Sequence, residues 1–325
     1  MRFVFRADAS PTKGVGHVMR LIPLAQELIR RGNQVSFVGE IDLIPWLKEL
    51  IHSVGFSTIY PNSNLYKTSS DEDVLILDSY EINIKENFVK KDNWKFVVVL
   101  ADELTPHYDA DLVFHPGIGG SWIEAWDKPI LYGLKFVLIR DSLTGIQFTG
   151  NNSQMPTIII LPGGTDAFRI TELLVENLTK LKFDFRCFVP DKDWISLTDS
   201  RFVSFQLGSE MEKLLSQCTG AIATASTTSL ELIALKIPVA ILSLTRNQND
   251  YYDSLILEQL ATPLGKFNDS ATFPLDFNNL RWFVQSNLAN FALAQANKPA
   301  IDGKGSSRIS EEILKRISIS TGLHN

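Results

Sequence analysis

The stretch RFVFRADASPTKGVGHVMRLIPLAQELIRRGN, residues 2–33, decides the fold. It opens on an apolar, β-favouring run, Phe3-Val4-Phe5, and passes through a loop holding Gly14 and Gly16. From His17 to Arg31, Leu21, Leu24, Ala25 and Leu28 recur at three- and four-residue intervals, which lines one face of a helix. Gly32-Asn33 closes that helix as a C-terminal glycine does. A strand, a glycine loop and an amphipathic helix in this order make the first βα unit of a parallel sheet.

The same alternation runs outward along the chain. Further strands are expected at Val35–Val38, Val74–Leu77, Phe96–Leu100 and Leu112–Phe114. A second series starts at Thr157–Leu161 and continues with Phe185–Val189, Phe202–Phe205, Ala221–Ala223 and Val239–Leu242, with helical patterns between. Thr144 to Pro156, rich in Gly, Asn, Ser and Gln, reads as a linker. The expected organisation is therefore two doubly wound α/β domains with parallel sheets, residues 1–145 and 155–300, followed by a helix and tail at 301–325. In the tail, Ile309, Ile313 and Ile317 recur every four residues, an apolar face suited to packing back across the domain junction. No internal repeat or low-complexity segment is present.

Composition agrees with this class. A chain of 325 residues exceeds a typical single core and fits about two domains of roughly 150 residues. Hydrophobic residues make up 45% and charged residues 21%, as in ordinary globular proteins. The net charge of −6 disfavours non-specific binding to nucleic acid or anionic membrane. The two cysteines, Cys187 and Cys218, sit in apolar stretches without a CxxC partner, which excludes a disulfide framework or a cysteine zinc site and fits a reducing cytoplasm. The chain begins directly on a strand-like run, so no signal peptide is expected. No apolar run approaches the roughly 18 residues needed to span a bilayer, so no membrane insertion is expected.

Four loops carry candidate chemistry, each following a strand, where open parallel sheets bind ligands. In the first, Arg6 to His17, Gly14 and Gly16 allow close backbone approach, and the helix N-terminus offers N–H groups to an anion. It is neither a Walker A loop nor a dinucleotide GxGxxG. His17 at the helix start is a candidate base, or alternatively only a cap. The second, Pro162-Gly163-Gly164-Thr165-Asp166, is either an anion loop or an ordinary βα turn with a Thr or Asp cap. The third, Thr224-Ala225-Ser226-Thr227-Thr228-Ser229-Leu230-Glu231, brings hydroxyls into a helix N-terminus suited to a diphosphate without metal. Glu231 could accept two ribose hydroxyls, or close an S/T-x-x-E capping box with Thr228. The fourth, Thr245-Arg246-Asn247-Gln248, offers amide donors and acceptors to sugar hydroxyls or an acetamido group. Asp109-Ala110-Asp111 has the DxD form of some metal-nucleotide sites but reads as a solvated strand start. His52, His107, His115 and His324 lack metal-ligand spacing, and no GxSxG elbow appears.

The pattern RADASxxxGxGHVMRLxxLA at 6–25 resembles the opening of the pseudaminic-acid pathway UDP-sugar hydrolases, a group also named for spore-coat polysaccharide biosynthesis protein G. The resemblance continues at Asp78-Ser79-Tyr80, at Tyr132-Gly133 through Arg140, at Gly163 to Asp166, at the Ser/Thr loop ending in Glu231 and at Asn247-Gln248, and so covers residues 1 to about 265. That family is similar to inverting glycosyltransferases of the GT-B fold, including the enzyme that makes the lipid-linked peptidoglycan disaccharide. The resemblance implies two Rossmann-like domains facing across a cleft and metal-free, cofactor-free hydrolysis of UDP-2,4-diacetamido-2,4,6-trideoxy-β-L-altropyranose to UDP and free sugar. It also implies His17 as the catalytic histidine, with Tyr80 and Asn247 close to the reacting sugar and Glu231 on the ribose. Gly16, Ser226, Thr227 and Thr228 would contact the diphosphate. Asp8, Gly14, Gly163, Gly164, Thr165 and Gln248 complete the expected substrate-binding set.

Three stretches depart from the family pattern: Thr245-Arg246 stands where Ala-Asp is usual, the 224–228 loop has no glycine, and Ala101-Asp102-Glu103 replaces an Asp-Asp pair. The first two fall in the expected substrate pocket and bear on the sugar and the acceptor. The leading expectation is a cytoplasmic UDP-sugar hydrolase. A glycosyltransferase using the same donor is the second reading, with the Ile44 to Ile51 segment as a candidate acceptor-side patch or as core. A non-catalytic nucleotide-sugar-binding protein is the third.

Overall fold

The computed structural model describes residues 1–10, 14–41, 44–79, 82–83, 85–101, 108–120, 122–123, 129–143, 155–163, 166, 168–191, 195, 197–206, 209–270, 273–296 and 301–320. The chain divides into two compact units, Met1–Asp141 with Gly303–Asn325, and Ser142–Asp302.

In the first unit, β1 (Arg2–Arg6), α1 (Gly16–Arg30), β2 (Gln34–Val38), α2 (Pro45–Val54), β3 (Thr58–Tyr60), β4 (Asp73–Leu77), β5 (Phe96–Leu100), β6 (Leu112–Phe114) and β7 (Ile130–Leu131) follow in order. The sheet order is β3-β2-β1-β4-β5-β6-β7 with every pair parallel. Side chains alternate across a strand. Phe3, Phe5, Ile76 and Val98 therefore enter the core under α1, while Val4, Leu75, Leu77, Val97 and Val99 enter a second core on the other face with Trp94 and Tyr108. Burial of both faces explains why β4 and β5 read as continuous apolar runs.

The second unit runs β8 (Thr157–Leu161), α3 (Ile170–Thr179), β9 (Arg186–Pro190), β10 (Phe202–Phe205), α4 (Ser209–Leu215), β11 (Gly220–Thr224), α5 (Thr227–Ala234), β12 (Val239–Leu242), α6 (Asn249–Leu257), β13 (Thr262–Gly265), α7 (Phe277–Gln285) and α8 (Asn287–Ala296). Its order, β10-β9-β8-β11-β12-β13, is again wholly parallel. Numbered within the unit this is 3-2-1-4-5-6, the Rossmann arrangement.

The chain then returns to the first unit as α9 (Gly305–Ser320). Ile309, Ile313 and Ile317 are buried in the core beside Leu21, Leu24 and Leu28, and Arg31 reaches Ser307 and Glu311 at 2.8 and 3.2 Å. Glycine is required where α9 starts: a Cβ on Gly305 would stand 2.1 Å from the Val137 carbonyl oxygen. In α2, Leu47 and Ile51 are core and Trp46 is half-exposed.

Three strands escape the hydrophobic pattern: β3, β7 and β13. Each lies at a sheet edge, where one side is unpaired and fewer apolar residues are needed. β13 even carries Pro263, which edge strands tolerate because no ladder hydrogen bond is lost on the open side. Most of the expected linker, 144–154, lies outside the described residues.

Candidate functional site

In the first sheet, β1 lies between β2 and β4, so the connections leaving β1 and β4 diverge at their carboxyl ends. This is the topological switch point where such sheets bind ligands. The loop after β1 is pinched by paired backbone bonds between Ser10 and Gly14, 3.3 and 2.8 Å, and Gly14 adopts φ +83° as that turn requires. Helix α1 starts at Gly16, and among the described residues no side chain caps its N-terminus. Among the described residues a Cβ on Gly16 would meet nothing within 4 Å, so their packing does not demand glycine there. Asp8 is partly committed, its Oδ1 accepting from Arg6 Nη1 at 2.5 Å and from the Glu40 amide at 2.9 Å.

His17 stands on the first turn of α1, and Asp78 follows directly on β4. They are 61 residues apart in sequence, yet His17 Nδ1 lies 2.6 Å from Asp78 Oδ1. Two lone pairs would repel at that distance, so Nδ1 carries the proton and donates it to the carboxylate. In the neutral ring the lone pair then lies on Nε2. The His17 side chain keeps 22% of its surface exposed, against 1% for Asp78, so the imidazole reaches outward from a buried anchor. Arg20 holds the same carboxylate through two bonds, Nε to Oδ2 and Nη2 to Oδ1, both 2.6 Å. Burial alone pushes the Asp78 carboxyl up. The Arg20 charge, then His17, and the hydrogen bonds from both outweigh it and hold the group below the usual carboxylate range.

Asp78 and Arg20 were not singled out from the sequence as site residues. Two signals were present: Asp78 follows directly on the apolar run Val74–Leu77, and Arg20 lies three residues beyond His17 on the same helix face. Tyr80 lies outside the described residues.

In the second sheet the switch point falls between β8 and β11. After β8, Gly163 is followed by Gly164 and Thr165, both outside the described residues. The buried Asp166 carboxylate accepts the amides of Ile170 at 3.0 Å and Thr171 at 3.4 Å. Those donors at the start of α3 are thus taken by the chain's own anion. After β11, Ser226 caps α5. Its amide bonds Ser229 Oγ at 3.3 Å, and that hydroxyl donates back to the Ser226 carbonyl at 2.7 Å. The expected pairing of Thr228 with Glu231 is therefore replaced by one between Ser226 and Ser229, because the helix starts two residues earlier. Among the described residues no hydrogen bond engages the amides of Thr227 and Thr228, as first-turn amides have no partner within a helix. Both side chains are half-buried, and Glu231 is buried one turn further along.

After β12, the Gln248 side-chain oxygen accepts the Leu244 amide at 2.8 Å and closes the turn that presents Asn247, which is exposed. Arg246 pairs with Asp269 at 2.9 Å, with both side chains 78% exposed, so its positive charge meets a neighbouring negative one. Asp111 accepts the Val97 amide at 2.8 Å and pairs with Lys91, which gives the DxD segment a structural task. Among the described residues no three His, Cys, Asp or Glu side chains gather as metal ligands.

No protein-family model matches the chain. It is 26% identical over 194 residues to the UDP-2,4-diacetamido-2,4,6-trideoxy-β-L-altropyranose hydrolase of Campylobacter jejuni, covering 56% of this chain and 67% of that protein. It is 24% identical over 302 residues to an uncharacterized protein of Methanocaldococcus jannaschii, covering 83% of this chain and 61% of that one. The matches thus span about two thirds of these relatives' own lengths. Among solved structures, MurG of Acinetobacter baumannii aligns over 97% of this chain and 100% of its own with a TM-score of 0.62 at 12% identity. The spinosyn forosaminyltransferase SpnP aligns over 97% and 99% with a TM-score of 0.61 at 14% identity. The chain has a GT-B-like fold built from two parallel-sheet α/β units, and in sequence it is similar to a UDP-2,4-diacetamido-2,4,6-trideoxy-β-L-altropyranose hydrolase.

Proposed function

We propose that the protein is an enzyme acting on a nucleotide sugar, and that it hydrolyses a UDP-linked 2,4-diacetamido-2,4,6-trideoxy sugar to UDP and free sugar for nonulosonic acid synthesis. The observation that carries this reading is the 2.6 Å bond from His17 Nδ1 to the buried Asp78 carboxylate at the first sheet's switch point. A ring anchored through Nδ1 presents Nε2 as a base. In this reading Nε2 takes a proton from water, and the water oxygen bonds to the anomeric carbon. The bond from that carbon to the UDP oxygen breaks, and UDP leaves with its electron pair.

UDP departure needs help with charge, which a metal-free site draws from fixed dipoles and hydroxyls. The start of α5 is suited to this task, with its first-turn amides and with Ser226, Thr227 and Thr228. Gly14 and Gly16 let the first loop approach the substrate, and Asp8 lines the same sheet end. Glu231 binds the ribose. Asn247 and Gln248 face the sugar, with Tyr80 by resemblance, while Gly163, Gly164 and Thr165 complete the nucleotide side. The first unit is the sugar and water side and the second binds UDP. A cytoplasmic location belongs to the reading. Two buried free thiols support it, and among the described residues no helix is long and apolar enough to cross a membrane.

The test is a panel of UDP-sugars incubated with the protein without acceptor, with UDP release followed by NMR. Release from a diacetamido-trideoxy sugar is expected. Release only after an acceptor hydroxyl is added makes the protein a glycosyltransferase. Binding without release makes it a nucleotide-sugar-binding protein.

A further inference from the structure

We propose that Arg20 is a positioning residue for His17, acting through Asp78. The inference rests on the reading of His17 as the base.

A buried carboxylate with only an imidazole for company has two unproductive options. It can turn about its Cβ–Cγ bond, or it can draw a second proton onto the ring and hold it as an ion pair. Either outcome removes the Nε2 lone pair from its place. Arg20 closes both routes. Its side chain is 7% exposed, and its planar fork grips both Asp78 oxygens side-on, which fixes the carboxylate plane. Oδ1 then keeps one lone pair directed at His17 Nδ1.

Arg20 Nη2 also stands 3.1 Å from Nδ1. Nδ1 already carries a proton, so this contact places a positive charge beside the ring and is not a second hydrogen bond to it. Asp78 and Arg20 together carry no net charge. On the loop before α1, Asp8 is engaged by Arg6. Asp78 from the β4 connection and Arg20 from α1 both bring charge against the ring. Their arrangement comes from two elements: Arg20 lies three residues after His17 on one helix face, and Asp78 arrives from the neighbouring strand end. A lysine at this position would keep the charge and lose the fork.

The test reads the ring directly. Histidine-¹⁵N-labelled protein reports which ring nitrogens carry protons, and the His17 signals are those missing from His17→Gln. Wild type is expected to show a single proton, on Nδ1, at neutral pH. In Arg20→Met the ring is expected to hold protons on both nitrogens, with kcat reduced about tenfold or more and KM nearly unchanged. Arg20→Met/Asp78→Asn removes both charges, and its ring is expected to return to one proton. A folded Arg20→Met with a wild-type ring spectrum overturns the inference. If Arg20→Met does not fold, Arg20→Lys decides: a several-fold loss of kcat at unchanged KM supports the fork, and wild-type kcat with a wild-type spectrum overturns it. The ring spectrum needs no substrate. A protein that turns over no UDP-sugar therefore fails the proposed function and leaves the Arg20 result to stand or fall separately.

Discussion

Replacing Asp78 by Asn removes one oxygen's worth of charge and leaves the shape of the side chain almost unchanged. Asp78 is buried and receives three hydrogen bonds of 2.6 Å, two from Arg20 and one from His17. An amide has one accepting oxygen and one donating nitrogen, so it cannot serve both partners. If its oxygen faces Arg20 Nε, its NH₂ faces His17 Nδ1, and the ring is driven to the tautomer with its proton on Nε2. If its oxygen faces His17, its NH₂ opposes the guanidinium. Breaking a buried ion pair by neutralising one member costs about 3–5 kcal/mol of stability. The loss of turnover follows from the ring state: about 10²- to 10⁴-fold in kcat if Nε2 is the base. Two assays separate these effects. Urea unfolding gives the stability of Asp78→Asn and of Asp78→Asn/Arg20→Met, and the double variant should recover much of the lost stability because no unpaired charge stays buried. Steady-state UDP release gives kcat, which should remain low in both. A folded Asp78→Asn with wild-type kcat would refute the tautomer argument and the assignment of His17 as base.

Four further outcomes are expected. His17→Ala should lower kcat by about 10² to 10⁴ with UDP affinity nearly unchanged, measured by turnover and calorimetric titration. Glu231→Ala should weaken UDP binding roughly 10- to 100-fold and reduce discrimination against 2′-deoxy-UDP, since charge-assisted bonds to ribose hydroxyls contribute about 1.5–3 kcal/mol each; equal discrimination in both proteins would leave Glu231 without a ribose contact. Activity should survive excess EDTA, and loss restored by Mg²⁺ or Mn²⁺ would overturn the metal-free reading. Because the folded Asp78 carboxyl is held below its ordinary value, its contribution to stability is full above the unfolded value of about 3.9 and is lost as pH falls through the lower folded value. Urea midpoints of wild type and Asp78→Asn should therefore converge only at acid pH.

The sequence by itself determined the alternation of strands and helices. That information is local: side-chain period, glycine at turns and apolar runs record whether one or both faces of an element will be covered. It also located the connections at 14–17, 162–166, 224–231 and 245–248, because each follows an apolar run that forms a strand. The edge strands β3, β7 and β13 were not legible, since an edge buries too little to leave an apolar run. The cap of α5 was not legible for a related reason. Ser226-x-x-Ser229 and Thr228-x-x-Glu231 both satisfy a capping pattern, and only the point at which the chain leaves β11 decides which pair sits at the helix start. The meeting of His17, Arg20 and Asp78 belongs wholly to tertiary structure. Asp78 entered the sequence reading only within a shared Asp-Ser-Tyr stretch, and no local pattern shows that β4 lies beside β1. Strand order does so, by setting the end of one strand against the start of the other's helix, and burial then makes the ion pair obligatory, since a lone carboxylate at that depth would not stay charged.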